Sequence, residues 1–99
     1  MLPVRLTLMP TGEAAPTDAE IHILEDQLWA HATPANGLEH LRARAVPPGI
    51  GIVLYIRAVT TGAAHAKARH LVTTALAATG NRYTLAPPHD GPAQTAPRE

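Results

Sequence analysis

The chain has no cysteine, no serine and no phenylalanine, and Lys67 is its only lysine. Without cysteine there is no disulfide framework, thiolate metal site or thiol nucleophile. Without serine the commonest hydroxyl nucleophile is missing, which leaves threonine, tyrosine, histidine, the carboxylates and Lys67 for covalent chemistry. Long apolar runs are also lacking. The longest, Ile50 to Ile56, falls far short of the roughly 20 residues that span a bilayer. Met1 to Pro10 is too short for a signal peptide and is broken by Arg5, so a cytoplasmic protein is expected. Formal net charge is +0, with eight Lys/Arg against eight Asp/Glu, which argues against a dedicated polyanion binder. The abundance of Ala, Arg, Pro, Gly and His suggests a GC-rich bacterial genome.

What is present organises around Pro47-Pro48-Gly49-Ile50-Gly51-Ile52-Val53-Leu54-Tyr55-Ile56-Arg57. The run is β-branched and bounded by turn residues, so it reads as a central strand. Ile50, Ile52, Leu54 and Ile56 point to one side; Gly51, Val53, Tyr55 and Arg57 point to the other. Leu2 to Met9 alternates likewise, with Val4, Leu6 and Leu8 opposite Arg5, Thr7 and Met9.

Thr17-Asp18-Ala19-Glu20 is a capping box and starts a helix, with Ile21, Leu24 and Leu28 at helical spacing and Trp29 expected at the edge of the core. Thr33 to Gly37 ends it. Leu38 to Val46 reads as a strand, with Leu41, Ala43 and Ala45 inward and His40, Arg42 and Arg44 outward. Its short link through Pro47-Pro48-Gly49 suggests a hairpin. Its Ala and Arg content opposes that on propensity, and a helix here would leave a three-stranded sandwich. Thr60 or Thr61 caps a second helix reaching about Thr79, with an Ala-rich stripe of Ala64, Ala68, Leu71, Val72, Ala75 and Leu76. Gly80 follows it. Arg82 to Ala86 is a last strand.

The order β-α-β-β-α-β predicts an α+β, ferredoxin-like split βαββαβ domain over residues 1–86: a four-stranded antiparallel sheet with two helices on one face. Residues 87–99, rich in proline, are expected to form a disordered tail.

If the helices cover one face, the other is open. Arg5, His40, Arg42, Arg44, Tyr55, Arg57 and Arg82 are then expected on it, with no carboxylate among them. Guanidinium groups pair bidentately with carboxylate or phosphate. The bland alternative is a solvated face whose arginine stems cover apolar sheet. The expected function is a non-enzymatic interaction module whose open face takes an acidic protein surface or a second copy. The alternatives are nucleic-acid binding by the same face, and a small cofactor-free enzyme using Trp29, His31 and His70.

Gly49 to Tyr55 has the glycine spacing of the RNP1 signature of RNA-recognition motifs. Ile50 and Ile52 stand where that signature needs stacking aromatics, so no membership follows. The six histidines show no HxxxH or HExxH spacing, and His22 with Asp26 reads as a surface pair. No metal or cofactor is expected.

Overall fold

The computed structural model describes residues 1–12, 15–80 and 82–86; the tail expected to be disordered, 87–99, lies outside the described residues. The elements are β1 (Leu2–Pro10), α1 (Asp18–His31), β2 (Leu38–Val46), β3 (Gly49–Ile56), α2 (Thr61–Ala78) and β4 (Tyr83–Leu85). The sheet runs β2-β3-β1-β4, and every neighbouring pair is antiparallel. This order, with two helices, is that of the ferredoxin-like split βαββαβ arrangement.

Local signals account for the helix ends. Thr17 is the N-cap of α1: its hydroxyl accepts from the Glu20 N–H, while the Glu20 carboxylate accepts from the Thr17 N–H, both at 3.1 Å. Thr60 caps α2 by accepting from the Ala63 N–H. Such caps satisfy amide groups that have no partner within the helix, each contributing about 1 kcal/mol. Between α1 and β2, the Asn36 side chain accepts from both the N–H and the hydroxyl of Thr33, which holds a buried polar residue in a tight turn.

Leu38–Val46 is a strand despite its Ala and Arg content. The two-residue link at Pro47-Pro48 brings it alongside β3, and cross-strand pairing overrides propensity. Leu41 sits opposite Leu54 and Ala43 opposite Ile52, on the helix side of the sheet. Ala45 shares that side but stays exposed at the hairpin end of this edge strand.

The core lies between sheet and helices. Val4, Leu6 and Leu8 of β1 and Ile50, Ile52, Leu54 and Ile56 of β3 meet Ile21, Leu24 and Leu28 of α1 and the α2 stripe of Ala64, Ala68, Leu71, Val72, Ala75 and Leu76. Burying one such Leu or Ile side chain contributes about 2 kcal/mol. The alanines bring α2 close under β1, β3 and β4, while α1 lies against β2 and α2. Trp29, expected at the core edge, is instead 47% exposed. It follows Leu28 by one residue, which turns it about 100° off the buried stripe.

Candidate functional site

Helices cover one face of the sheet, and strand register fixes what stands on the other. Across β2, β3 and β1, one row reads His40, Tyr55, Pro3; the next Arg42, Val53, Arg5; the next Arg44, Gly51, Thr7. Adjacent strands lie about 4.8 Å apart and alternate residues about 6.7 Å apart. Arg42 and Arg44 are therefore neighbours along β2, and Arg5 faces Arg42 across one intervening strand. The three side chains line a single open depression of about 720 Å³, together with Thr7, Val46, Gly51, Val53 and Tyr55.

The depression exists because its centre is small. Gly51 contributes no side chain, and a Cβ built there would meet only the Val46 methyls, at 3.4 Å. Gly49, two residues earlier, has a different role: a Cβ there would lie 2.0 Å from the Leu8 carbonyl oxygen, so this glycine is required by close approach of β1. Tyr55 is half-buried beside the depression. Its ring lies 5.8 Å from that of His40, tilted by 37°.

Among the described residues, no carboxylate lies within ion-pairing distance of Arg5, Arg42 or Arg44, and none lines the depression. Repulsion within the cluster is tolerable. Two charges 7–10 Å apart in water repel by about 0.5 kcal/mol, and flexible arginine stems let the tips separate further.

Two residues expected with this group have other partners. Arg82 precedes β4 and escapes its alternation. It pairs with Glu20 at the N-terminus of α1, on the helix side. Arg57 follows β3, and its Nε lies 3.3 Å from the Glu39 carboxylate. Glu39 reaches it because the β2–β3 register slips between Leu38 and His40, leaving Glu39 as an extra residue in a bulge. Of the seven residues named from the sequence, Arg5, Arg42, Arg44 and Tyr55 line the depression, His40 flanks Tyr55, and Arg57 and Arg82 stand apart. Val46 and the Gly51 floor were not singled out; the missing side chain at a mid-strand position was the signal for the floor.

The Arg82 corner is a small network of its own. Glu20 takes the Thr17 N–H, the Tyr83 hydroxyl at 3.2 Å, and Arg82. The Thr17 N–H bond is the main reason its carboxyl is held below the usual range, with Arg82 and Tyr83 adding to it and partial burial opposing. Burial pushes the Tyr83 phenol up, and the neighbouring Glu20 charge and hydrogen bond push it further.

The acidic side of α1 has one further contact. Glu25 accepts from the Ala43 N–H on the outer edge of β2 at 3.2 Å, and its other oxygen lies 3.6 Å from His22 Nδ1. His22 therefore pairs with Glu25 rather than with Asp26. Trp29, His31 and His70 do not line the depression. Among the described residues no three His, Asp or Glu side chains converge as a metal site would require. Comparison with protein families, with curated proteins and with solved structures found no match.

Proposed function

We propose that this chain is a non-enzymatic docking module whose open sheet face holds an acidic protein surface. The observation that carries the reading is the placement of Arg5, Arg42 and Arg44 around one depression with no carboxylate in its lining. Arginine suits the role: its planar fork binds a carboxylate through two parallel hydrogen bonds, and its weak hydration makes docking less costly than for lysine. A floor of Gly51 and Val53 lets a partner's backbone or short acidic side chains approach the sheet. No described helix is long and apolar enough to cross a membrane. A cytoplasmic, bacterial setting, suggested by the composition, belongs to the same proposal.

A second reading, single-stranded nucleic acid on the same face, draws on one observation: Tyr55 stands beside the arginines, where a base could stack. It ranks second because Tyr55 is half-buried and is the one aromatic ring in the lining.

The test is fluorescence anisotropy with a labelled peptide of alternating Glu and Gly, and with a labelled oligothymidine, at roughly 50 and 200 mM salt. The peptide should bind at low salt. The double variant Arg42→Glu, Arg44→Glu should lose at least about tenfold in affinity, or about 1.4 kcal/mol. No peptide binding, or binding that the double variant keeps, overturns the reading. Preferred binding of the oligonucleotide with a steep salt dependence replaces it with the second.

A further inference from the structure

The molecule has principal extents of 36 × 34 × 18 Å, and its open sheet face and its first helix carry opposite charge. Arg5, Arg42 and Arg44 stand on the sheet side. On the helix side, α1 has Asp18, Glu20, Glu25 and Asp26 and neither Lys nor Arg. Glu20 is engaged by Arg82 and Glu25 by the Ala43 N–H, whereas Asp18 and Asp26 are exposed with no ionic partner among the described residues. The exposed part of α1 also presents Ile23 at 54% exposure and Trp29 at 47%. The second helix has the opposite character: α2 contains Lys67 and Arg69 and no carboxylate.

We propose that the acidic surface taken by the open face is the outer side of α1 of a second copy of this chain, docked head to tail. The proposal rests on the docking function above and names its partner. Charge decides the geometry. Two open faces set against each other would oppose arginine to arginine. Seating α2 on the open face would do the same with Lys67 and Arg69. Seating α1 there brings Asp18 and Asp26 to the arginines and places Trp29, a residue type that commonly anchors interfaces, over the apolar floor. Because α1 lies against β2 at one edge of the sheet while the depression spans β2, β3 and β1, successive copies must be offset sideways. Such a contact uses two different surfaces, so the pair as a whole retains one free helix and one free face. It generates a ring if the rotation closes and a filament if it does not.

The test uses the whole chain in analytical ultracentrifugation over a concentration series, at low and high salt. The wild type should form species larger than a dimer at low salt and disperse as salt rises. Arg42→Glu, Arg44→Glu removes the acceptor face. Ile23→Lys, Asp26→Lys removes the donor face at exposed mid-helix positions that lysine suits. Each variant alone should be monomeric. An equimolar mixture should associate again, because the acidic helix of one variant meets the arginine face of the other and the lysine helix meets the glutamate face. Circular dichroism checks folding, and Arg42→Gln with Asp26→Asn repeats the comparison, with weakened association expected, should a charge reversal unfold the chain. A wild type that stays monomeric at every concentration overturns the proposal, as does self-association that either double variant retains. Binding of the acidic peptide by a monomeric wild type would leave the docking function standing while this partner falls.

Discussion

Two places in this small protein gather arginine and a tyrosine, and they do so for opposite ends. At the corner where β4 meets α1, Arg82 and Tyr83 converge on Glu20, and every group has a partner. On the open sheet face, Arg5, Arg42, Arg44 and Tyr55 surround a depression with no acid in it. The corner closes the fold: it ties the last strand to the first turn of the first helix. The depression closes nothing, and its arginines have no carboxylate partner among the described residues. The contrast shows that arginine content alone does not mark a binding surface. What separates the two places is whether the fold has already supplied the counter-charge, and on that difference the docking proposal rests.

The sharpest way to break the comparison is Tyr83→Ala. Tyr83 is 8% exposed and belongs to the core. Truncation should cost about 3 kcal/mol in urea unfolding and leave peptide affinity per folded molecule unchanged. A weakened affinity in the folded fraction would show that the two regions are coupled.

Tyr83→Phe is gentler and carries a pH signature. It removes the hydroxyl that donates to Glu20 and should cost about 1 kcal/mol at neutral pH. The raised phenol stabilises the fold below the ordinary tyrosine pKa, and this contribution is lost as pH rises through the higher folded value. The phenylalanine variant should therefore show a flatter alkaline limb in a plot of Tm against pH. The lowered carboxyl of Glu20 works in the other direction: its contribution is present above the unfolded glutamate pKa and fades as pH falls through the lower folded value. That acid limb should persist in the variant, since the Thr17 N–H still holds Glu20. Unaltered limbs at both ends would detach the alkaline limb from Tyr83.

Gly51→Ala is the smallest change and acts only on the depression. A Cβ has room there, and alanine restricts the unfolded chain more than glycine does, so stability should rise by about 0.5 kcal/mol. Peptide affinity should fall, because the floor is raised. Tighter binding would mean that the partner does not approach over β3.

The layout of the fold was legible from alternation and caps. Ile50, Ile52, Leu54 and Ile56 announced the central strand, Thr17 with Glu20 the start of α1, and the tight Pro47-Pro48 link made a strand of Leu38–Val46 against its composition. Part of the site followed, since strand parity alone puts Arg42, Arg44 and Arg5 on one side. What escaped depends on distances the sequence does not contain. Arg82 finds Glu20 only because the end of the sheet folds back onto the start of α1. Arg57 finds Glu39 only through a bulge, and one extra residue in a strand leaves no mark in an alternating pattern. Trp29 flanks the stripe of Ile21, Leu24 and Leu28 in the sequence, yet its angle of about 100° from Leu28 carries it past the core edge to 47% exposure.

The bond from the Ala43 N–H to Glu25 bears on a hazard common to flat sheets. β2 is a nine-residue edge strand, and its outward backbone groups offer a template on which any extended chain could grow. A helix carboxylate occupies the middle of that edge, on the amide where an incoming strand would place a carbonyl. An intruder must displace a charged acceptor before it can zip along the strand, and would leave Glu25 without its amide partner. The fold thus opposes uncontrolled strand addition with one side chain, while the arginines of the same strand, turned a quarter-circle away, take no part in guarding that edge.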